Sequence, residues 1–207
     1  MEDSVKESKV NSVHNLQHLY TVVVGLGLSL AIRNLIDSNG QNVLFRSDLL
    51  PFFFALLVTL IPFYHGALRH LDLTYVERGG REVRRGALLV DFAALFIESC
   101  LLLALGVFLL RPFYLVWGLV ILLASDSLWG FSAHFAFTQH MQSRAEIRWA
   151  LINLATAVFF TIYYLVLNLE AEAYASDARI WAVTLSVSVV RSVVDYIWCW
   201  DTYYPSL

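Results

Sequence analysis

Six long runs of apolar residues occupy most of this chain, and short polar segments separate them. The runs cover residues 16–36, 49–69, 87–110, 113–136, 148–168 and 179–200. A helix that crosses a bilayer needs about 20 predominantly apolar residues. The runs are uniformly apolar, whereas the strands of a membrane barrel alternate between apolar and polar positions. The pattern therefore predicts an all-α, polytopic transmembrane bundle of about six spans.

The segments between the runs are too short to form a soluble domain. We expect a polar N-terminal tail over residues 1–15, one transmembrane domain over 16–200 and a short C-terminal tail over 201–207. The composition agrees, since 58% of the 207 residues are hydrophobic and 15% are charged, against about 25% charged in soluble domains. The net charge of −3 offers no basic surface for direct nucleic-acid binding.

The lysines and arginines outside the middles of the runs predict the orientation, because cytoplasmic loops carry an excess of both. With both termini in the cytoplasm, nine of these residues lie on the inner side and four on the outer side. The inner set is Lys6, Lys9, Arg69, Arg78, Arg81, Arg84, Arg85, Arg144 and Arg148, and the outer set is Arg33, Arg46, Arg111 and Arg179. We therefore expect cytoplasmic N- and C-termini in the inner (plasma) membrane.

Three ionisable residues lie near the middles of separate runs: Glu98, Asp126 and Arg191. An ionisable group at that depth costs at least about 2.5 kcal/mol, so it usually pairs, faces water or takes part in chemistry. With alternating span directions, all three lie at a similar depth. The sequence predicts that they meet, either as a buried ion-pair cluster or around a water-filled cavity.

A second polar layer is predicted nearer the inner face. Asp91 precedes Glu98 by two helical turns and shares its stripe, while Arg191 and Asp195 are four residues apart and can pair within one helix. His65, Arg69 and His134 lie towards the inner ends of their runs. Such a column is what a proton or cation path requires, and equally what a rigid helix-packing network contains. The leucine-rich stretch 101–109 predicts a dry opposite half that a path would need to gate.

Two other classes of function remain open. The loop arginines Arg78, Arg81, Arg84 and Arg85 fit a positive-inside anchor, or a patch that docks lipid headgroups or a cytoplasmic protein partner. The stretch PFYHGALRHLDLTY holds the residues of an acid–base or metal site, namely His65, Arg69, His70, Asp72 and Tyr75. However, His65 and His70 are five residues apart and point away from each other on a regular helix, and no nucleotide or hydrolase motif is present. We favour a protein that is not an enzyme and expect no metal or cofactor.

The small size, the lack of a soluble domain and the segment FYHGALRHLD resemble the small polytopic membrane proteins of bacterial antiviral defence systems. These include accessory membrane proteins beside RNA-targeting CRISPR effectors. The resemblance implies assembly in the inner membrane and a permeability change during infection, with sensing by a cytoplasmic partner, and it assigns no site residue. We therefore expect a homo-oligomer with gated ion or proton permeation. The alternatives are a membrane anchor that recruits a partner, and a membrane enzyme with a His/Arg/Asp site.

Overall fold

A computed structural model of the chain describes residues 2–38, 43–77, 86–136, 144–167 and 177–204. Its helices are α1 (Glu2–Leu35), α2 (Leu50–Leu71), α3 (Ala87–Phe108), α4 (Pro112–Ala136), α5 (Arg144–Leu167), α6 (Ala178–Trp198) and α7 (Trp200–Tyr203). Six of the helical stretches in the described residues are long and apolar enough to cross a membrane. They are Val10–Leu35, Ser47–Glu77, Ala87–Phe108, Pro112–His134, Ala145–Leu167 and Ala178–Trp198. The predicted multi-pass helical fold is confirmed, and its orientation stays a prediction.

The first two helices extend beyond the predicted runs. Helix α1 begins at Glu2 and so continues through the stretch predicted as a polar tail, which contains no glycine or proline that would end a helix. Helix α2 follows a 3₁₀ turn over Ser47–Leu49 and continues into a π-helical turn over Asp72–Glu77. Such turns are rare and are frequent at functional sites. The second span is therefore longer than the apolar run alone indicates.

A short β-hairpin joins α1 to α2, although the sequence predicts helices only. Strands β1 (Ile36–Ser38) and β2 (Val43–Phe45) are antiparallel, with Ile36 opposite Phe45. The Arg46 N–H donates to the Leu35 carbonyl at 2.8 Å and closes the hairpin. Each strand has three residues, which is too short for an alternating pattern to be recognised.

The six long helices close a ring in the order α1, α3, α4, α5, α6, α2 and back to α1. Each helix thus turns one face to the interior and another to the surroundings. Large apolar side chains cover the outer surface, for example Leu89, Val166 and Ile197, which are 71%, 77% and 71% exposed. An outer surface of this kind suits contact with lipid tails.

The interior of the ring has two chemically different halves. One half, here called the leucine half, is filled by buried leucines of α3, α4 and the turn between them: Leu102, Leu105, Leu109, Leu115, Leu119 and Leu122. These residues lie at the same end of the helix ring, because a short turn at 109–111 joins the end of α3 to the start of α4. The other half, the polar half, contains Asp91, Glu98, Asp126, Arg191 and Asp195. Within the stretch 101–109 that the sequence predicts to be dry, Leu102, Leu105 and Leu109 are buried, whereas Val107 faces outward and is 50% exposed.

Two local features fix the helices in place. Helices α1 and α3 cross at Gly27 and Gly106, where a Cβ atom on Gly106 would lie 2.1 Å from the Gly27 carbonyl oxygen. Asp177 caps the N-terminus of helix α6, because its Oδ1 accepts a hydrogen bond from the Arg179 N–H at 2.8 Å. The Arg179 guanidinium also hydrogen-bonds this carboxylate and lowers the pKa of Asp177.

Candidate functional site

Glu98 and Asp126 lie side by side in the interior, near the middles of α3 and α4. They are 2% and 7% exposed, and both line the same small cavity. Two buried carboxyl groups that share a cavity repel each other when both are ionised, which favours a proton on one of them. The pair is therefore a candidate proton-binding group inside the bundle.

Asn153 of α5 connects this pair to the arginine of α6. Its Nδ2 donates to Asp126 Oδ2, and its Oδ1 accepts from Arg191 Nε at 2.9 Å. Arg191 Nη2 lies 3.3 Å from Asp195 Oδ2, and Tyr203 donates to Asp195 Oδ1 at 3.1 Å. The predicted pairing of Arg191 with Asp195 is confirmed. The predicted meeting of Arg191 with the two central acids occurs through an intervening amide.

Asp91 is the centre of a second buried group. Its Oδ2 accepts from Tyr75 at 2.6 Å and lies 3.1 Å from His70 Nε2, while its Oδ1 accepts from Trp129 Nε1 at 2.9 Å. On its other side, His70 Nδ1 lies 3.4 Å from Glu146 Oε1. The π-helical turn carries Tyr75 to this carboxylate, so residues from α2 to α5 converge there.

Trp129 joins the two groups. Its indole N–H binds Asp91, and its ring lines a cavity that also touches Glu98, Asp126 and Arg191. The cavity has a volume of about 20 Å³, which is room for about one water molecule. Phe63 closes it beneath the guanidinium, with Arg191 Cζ 4.7 Å from the ring centroid in a cation–π contact.

Three buried polar atoms on residues that line this cavity have no hydrogen-bond partner among the described residues. They are Glu98 Oε1, Trp149 Nε1 and Arg191 Nη1. A buried polar atom without a partner costs about 1–3 kcal/mol. The residues around the cavity thus offer one acceptor and two donors to a small guest.

Acids outnumber bases in this interior. The buried carboxyl groups of the described residues are Asp91, Glu98, Asp126, Glu146 and Asp195, and the buried bases are His70 and Arg191. Among the described residues, buried carboxyl groups thus outnumber buried bases by three. An excess of buried negative charge is strongly unfavourable, which favours protonated carboxyl groups in this interior.

The other predicted site residues lie beside the cavity rather than on it. His65 Nδ1 is 3.2 Å from the Tyr196 hydroxyl. Arg69 pairs with Glu77 and donates to the Thr202 carbonyl at 2.9 Å. His134 is half-buried in the last turn of α4. They form the end of the polar half.

The structure does not bring together the residues of the enzyme hypothesis, and it does not describe those of the docking hypothesis. Asp72 accepts from Gln17 Nε2 at 2.8 Å, so His65, Arg69 and Asp72 each have a different partner. Across the five described ranges, no group of three or more His, Cys, Asp or Glu side chains is arranged to hold a metal ion. Arg78, Arg81, Arg84 and Arg85 lie outside the described residues.

Sequence reasoning missed four members of the network. Asn153 and Trp129 carry no charge, Glu146 precedes the predicted start of its run, and Tyr203 follows the end of the last run. The signal for Asn153 was present, since an amide in the middle of an apolar span needs a hydrogen-bond partner.

No protein-family model, curated protein or solved structure matches this chain. The resemblance to membrane proteins of antiviral defence systems therefore stays a prediction. The acid-rich interior of the helix ring is therefore the feature from which a function can be inferred.

Proposed function

We propose that this multi-pass membrane protein conducts protons through its acid-rich interior, with the Glu98–Asp126 pair as the central proton-binding group. The observation that carries the proposal is this pair of carboxyl groups, buried in mid-span, which share with Asp195 a cavity that has room for about one water molecule. Such a water can pass a proton between the carboxyl groups, while Asn153 and Arg191 hold them in position. Chains of acids and histidines inside membrane helices are typical of proton relays. From Asp195, the hydroxyl of Tyr203 extends the chain towards the end of the polar half.

The size of the cavity favours protons over larger ions. Its volume of about 20 Å³ holds about one water molecule, so a hydrated cation does not fit. A proton needs only a sequence of donors and acceptors that exchange it. The sequence analysis left open whether ions or protons permeate, and the size of the cavity favours protons.

The leucine half supplies the gate. Leu102 lies one helical turn beyond Glu98, and it is 1% exposed among other buried leucines. An apolar constriction of this kind blocks conduction until it becomes wet. Proton flow thus requires a rearrangement or a trigger that admits water between the leucines.

Proton flux into liposomes tests the proposal, with a pH-sensitive dye inside and a potassium diffusion potential as the driving force. Leu102→Ser places a hydroxyl in the gate and is expected to raise the flux above that of the wild type. In this open background, Glu98→Gln and Asp126→Asn are expected to reduce the flux to that of protein-free liposomes, because neither amide exchanges a proton as a carboxyl group does. Glu7→Gln and Asp201→Asn alter exposed acids and serve as matched controls.

Two outcomes contradict the proposal. One is a Leu102→Ser protein that elutes as a single species on size exclusion and conducts no protons. The other is proton flux in that protein that Glu98→Gln and Asp126→Asn leave unchanged.

The remaining parts of the proposal rest on the sequence. They are a location in the inner membrane, assembly as a homo-oligomer, and a role in an antiviral defence system in which a cytoplasmic partner provides the trigger. The partner is expected to dock on the loop that contains Arg81 and Arg84, which faces the cytoplasm in the predicted orientation. Co-purification of a partner that is lost when these arginines are changed to glutamine supports this part.

A further inference from the structure

A groove between α3 and α4 opens on the outer surface of the helix ring. Its volume is about 330 Å³. Val90, Ile97 and Leu128 form its walls and are 50%, 53% and 69% exposed. The small side chains of Ala94 and Ser125 leave the space between the walls. In a membrane, a groove on this surface lies against lipid.

Glu98 lines this groove and also the internal cavity. One of its carboxyl oxygens, Oε1, is buried without a hydrogen-bond partner among the described residues. On its other side, the carboxyl group shares the internal cavity with Asp126. The groove therefore leads from the lipid side to a protonatable group with one unused oxygen.

A second groove of similar size provides a comparison. It lies between α2 and α6, has a volume of about 340 Å³, and is lined by Val58, Ile61, Val193 and Tyr196 among others. None of its lining residues is acidic or basic. Size and apolar walls are thus common to both grooves, and the carboxyl group is particular to the α3–α4 groove.

We propose that the α3–α4 groove binds a neutral, elongated hydrophobic molecule with a hydrogen-bonding head, which enters from the bilayer and places its head against Glu98. The apolar walls favour a hydrocarbon tail. A charged head is excluded because it would lie near the middle of the membrane. An apolar helix face of a second copy would fill the groove but leave Glu98 Oε1 without a partner. We also expect the bound molecule to stop proton movement, and this expectation rests on the proposed function.

The probe is dicyclohexylcarbodiimide, a neutral hydrophobic reagent, applied to the full-length protein in liposomes. The acid proton of Glu98 moves to one carbodiimide nitrogen, and the carboxylate oxygen bonds to the central carbon. Transfer of the acyl group from oxygen to nitrogen then leaves a stable N-acylurea that contains the whole reagent. Peptide mass spectrometry is expected to find the adduct on Glu98, and none is expected with a water-soluble cationic carbodiimide.

Variants and competitors test whether the groove is the route. Ala94→Leu and Ser125→Leu narrow the groove without changing Glu98 and are expected to slow labelling, whereas Val193→Phe fills the α2–α6 groove and is expected to leave the rate unchanged. Hexadecanol should protect Glu98, and hexadecyltrimethylammonium should not.

Three results overturn the inference: no label on Glu98, preferential labelling by the water-soluble reagent, or protection that depends on self-association of the protein. Labelling is read from the peptide mass and does not require proton flux. Labelled Glu98 in a protein whose flux is independent of Glu98 would refute the proposed function alone. Flux that depends on Glu98, without labelling, would refute the groove alone.

Discussion

Asn153 is the residue on which the two parts of the central cluster depend. Its amide donates to the carboxylate of Asp126 and accepts from the guanidinium of Arg191 at the same time. With 1% of its surface exposed, it is shielded from bulk water that would replace these bonds. Removing the amide leaves an acid and a base without these partners.

Substitution of Asn153 is therefore expected to destabilise the protein. Asn153→Leu keeps the size and removes both hydrogen bonds, which should lower the free energy of unfolding by about 2 kcal/mol. Asn153→Asp keeps an acceptor for Arg191 and donates to Asp126 only when it is protonated. It should therefore approach wild-type stability at low pH and lose stability as the pH rises. Thermal unfolding in detergent micelles at several pH values measures both effects.

Asn15→Leu is the matched control, because Asn15 is exposed. It is expected to leave the melting temperature unchanged. Equal melting temperatures for Asn153→Leu and the wild type would show that the amide does not hold the cluster together.

The sequence predicted the charged members of the cluster because charge in an apolar run is a strong signal. Glu98, Asp126, Arg191 and Asp195 were all identified in this way, and the Arg191–Asp195 pair follows from helical spacing alone. The partners of Asp91 were not predictable, because spacing along one chain does not reveal which helices become neighbours in space. His70 therefore appeared as part of a local stretch, not as a partner of Asp91.

At the scale of elements, the packing of α1 against α3 depends on the absence of side chains at the crossing. Gly106 approaches the Gly27 backbone so closely that an added Cβ atom would lie 2.1 Å from its carbonyl oxygen. Contacts of this kind between small residues bring membrane helices together. Gly25 is two residues from Gly27, and a Cβ atom there would meet nothing within 4 Å.

Gly106→Ala is expected to destabilise the protein by about 1–3 kcal/mol, because the backbones of α1 and α3 must move apart to admit the methyl group. Gly25→Ala is the matched control, and it should be neutral or slightly stabilising, since alanine is the better helix former by about 1 kcal/mol. Thermal unfolding followed by tryptophan fluorescence in micelles compares the two. Equal effects of both substitutions would contradict the close crossing.

The number and type of the spanning elements were predictable, and their ends were not. Length and uniform hydrophobicity identify a span with little ambiguity, so all six spans were predicted. The π-helical turn over Asp72–Glu77 contains polar residues and gives no periodic signal. Two side chains of this turn make hydrogen bonds to other helices, since Asp72 accepts from Gln17 and Tyr75 donates to Asp91. Such tertiary contacts are not visible in the local sequence.

At the scale of the molecule, closure of the ring explains why polar groups so far apart in sequence meet. Helices α2 and α6 are far apart in the sequence, and closure of the ring brings them into contact. This places Phe63 against Arg191 and brings the Val58 carbonyl within 2.8 Å of the Ser192 hydroxyl, which donates to it. The acid-rich interior is thus a property of the closed ring and of no single pair of helices.

An even number of spans has a consequence for topology that does not depend on the interior. If all six candidate helices cross, both ends of the chain lie on the same side of the membrane, and the excess of lysine and arginine predicts that this side is the cytoplasm. Epitope tags at the N-terminus and after Leu207 are therefore expected to be protected from protease in sealed, right-side-out vesicles. A tag inserted within residues 170–176 should be cleaved. Tags on opposite sides would mean that one of the six helices does not cross, and two accessible terminal tags would reverse the orientation while retaining six spans.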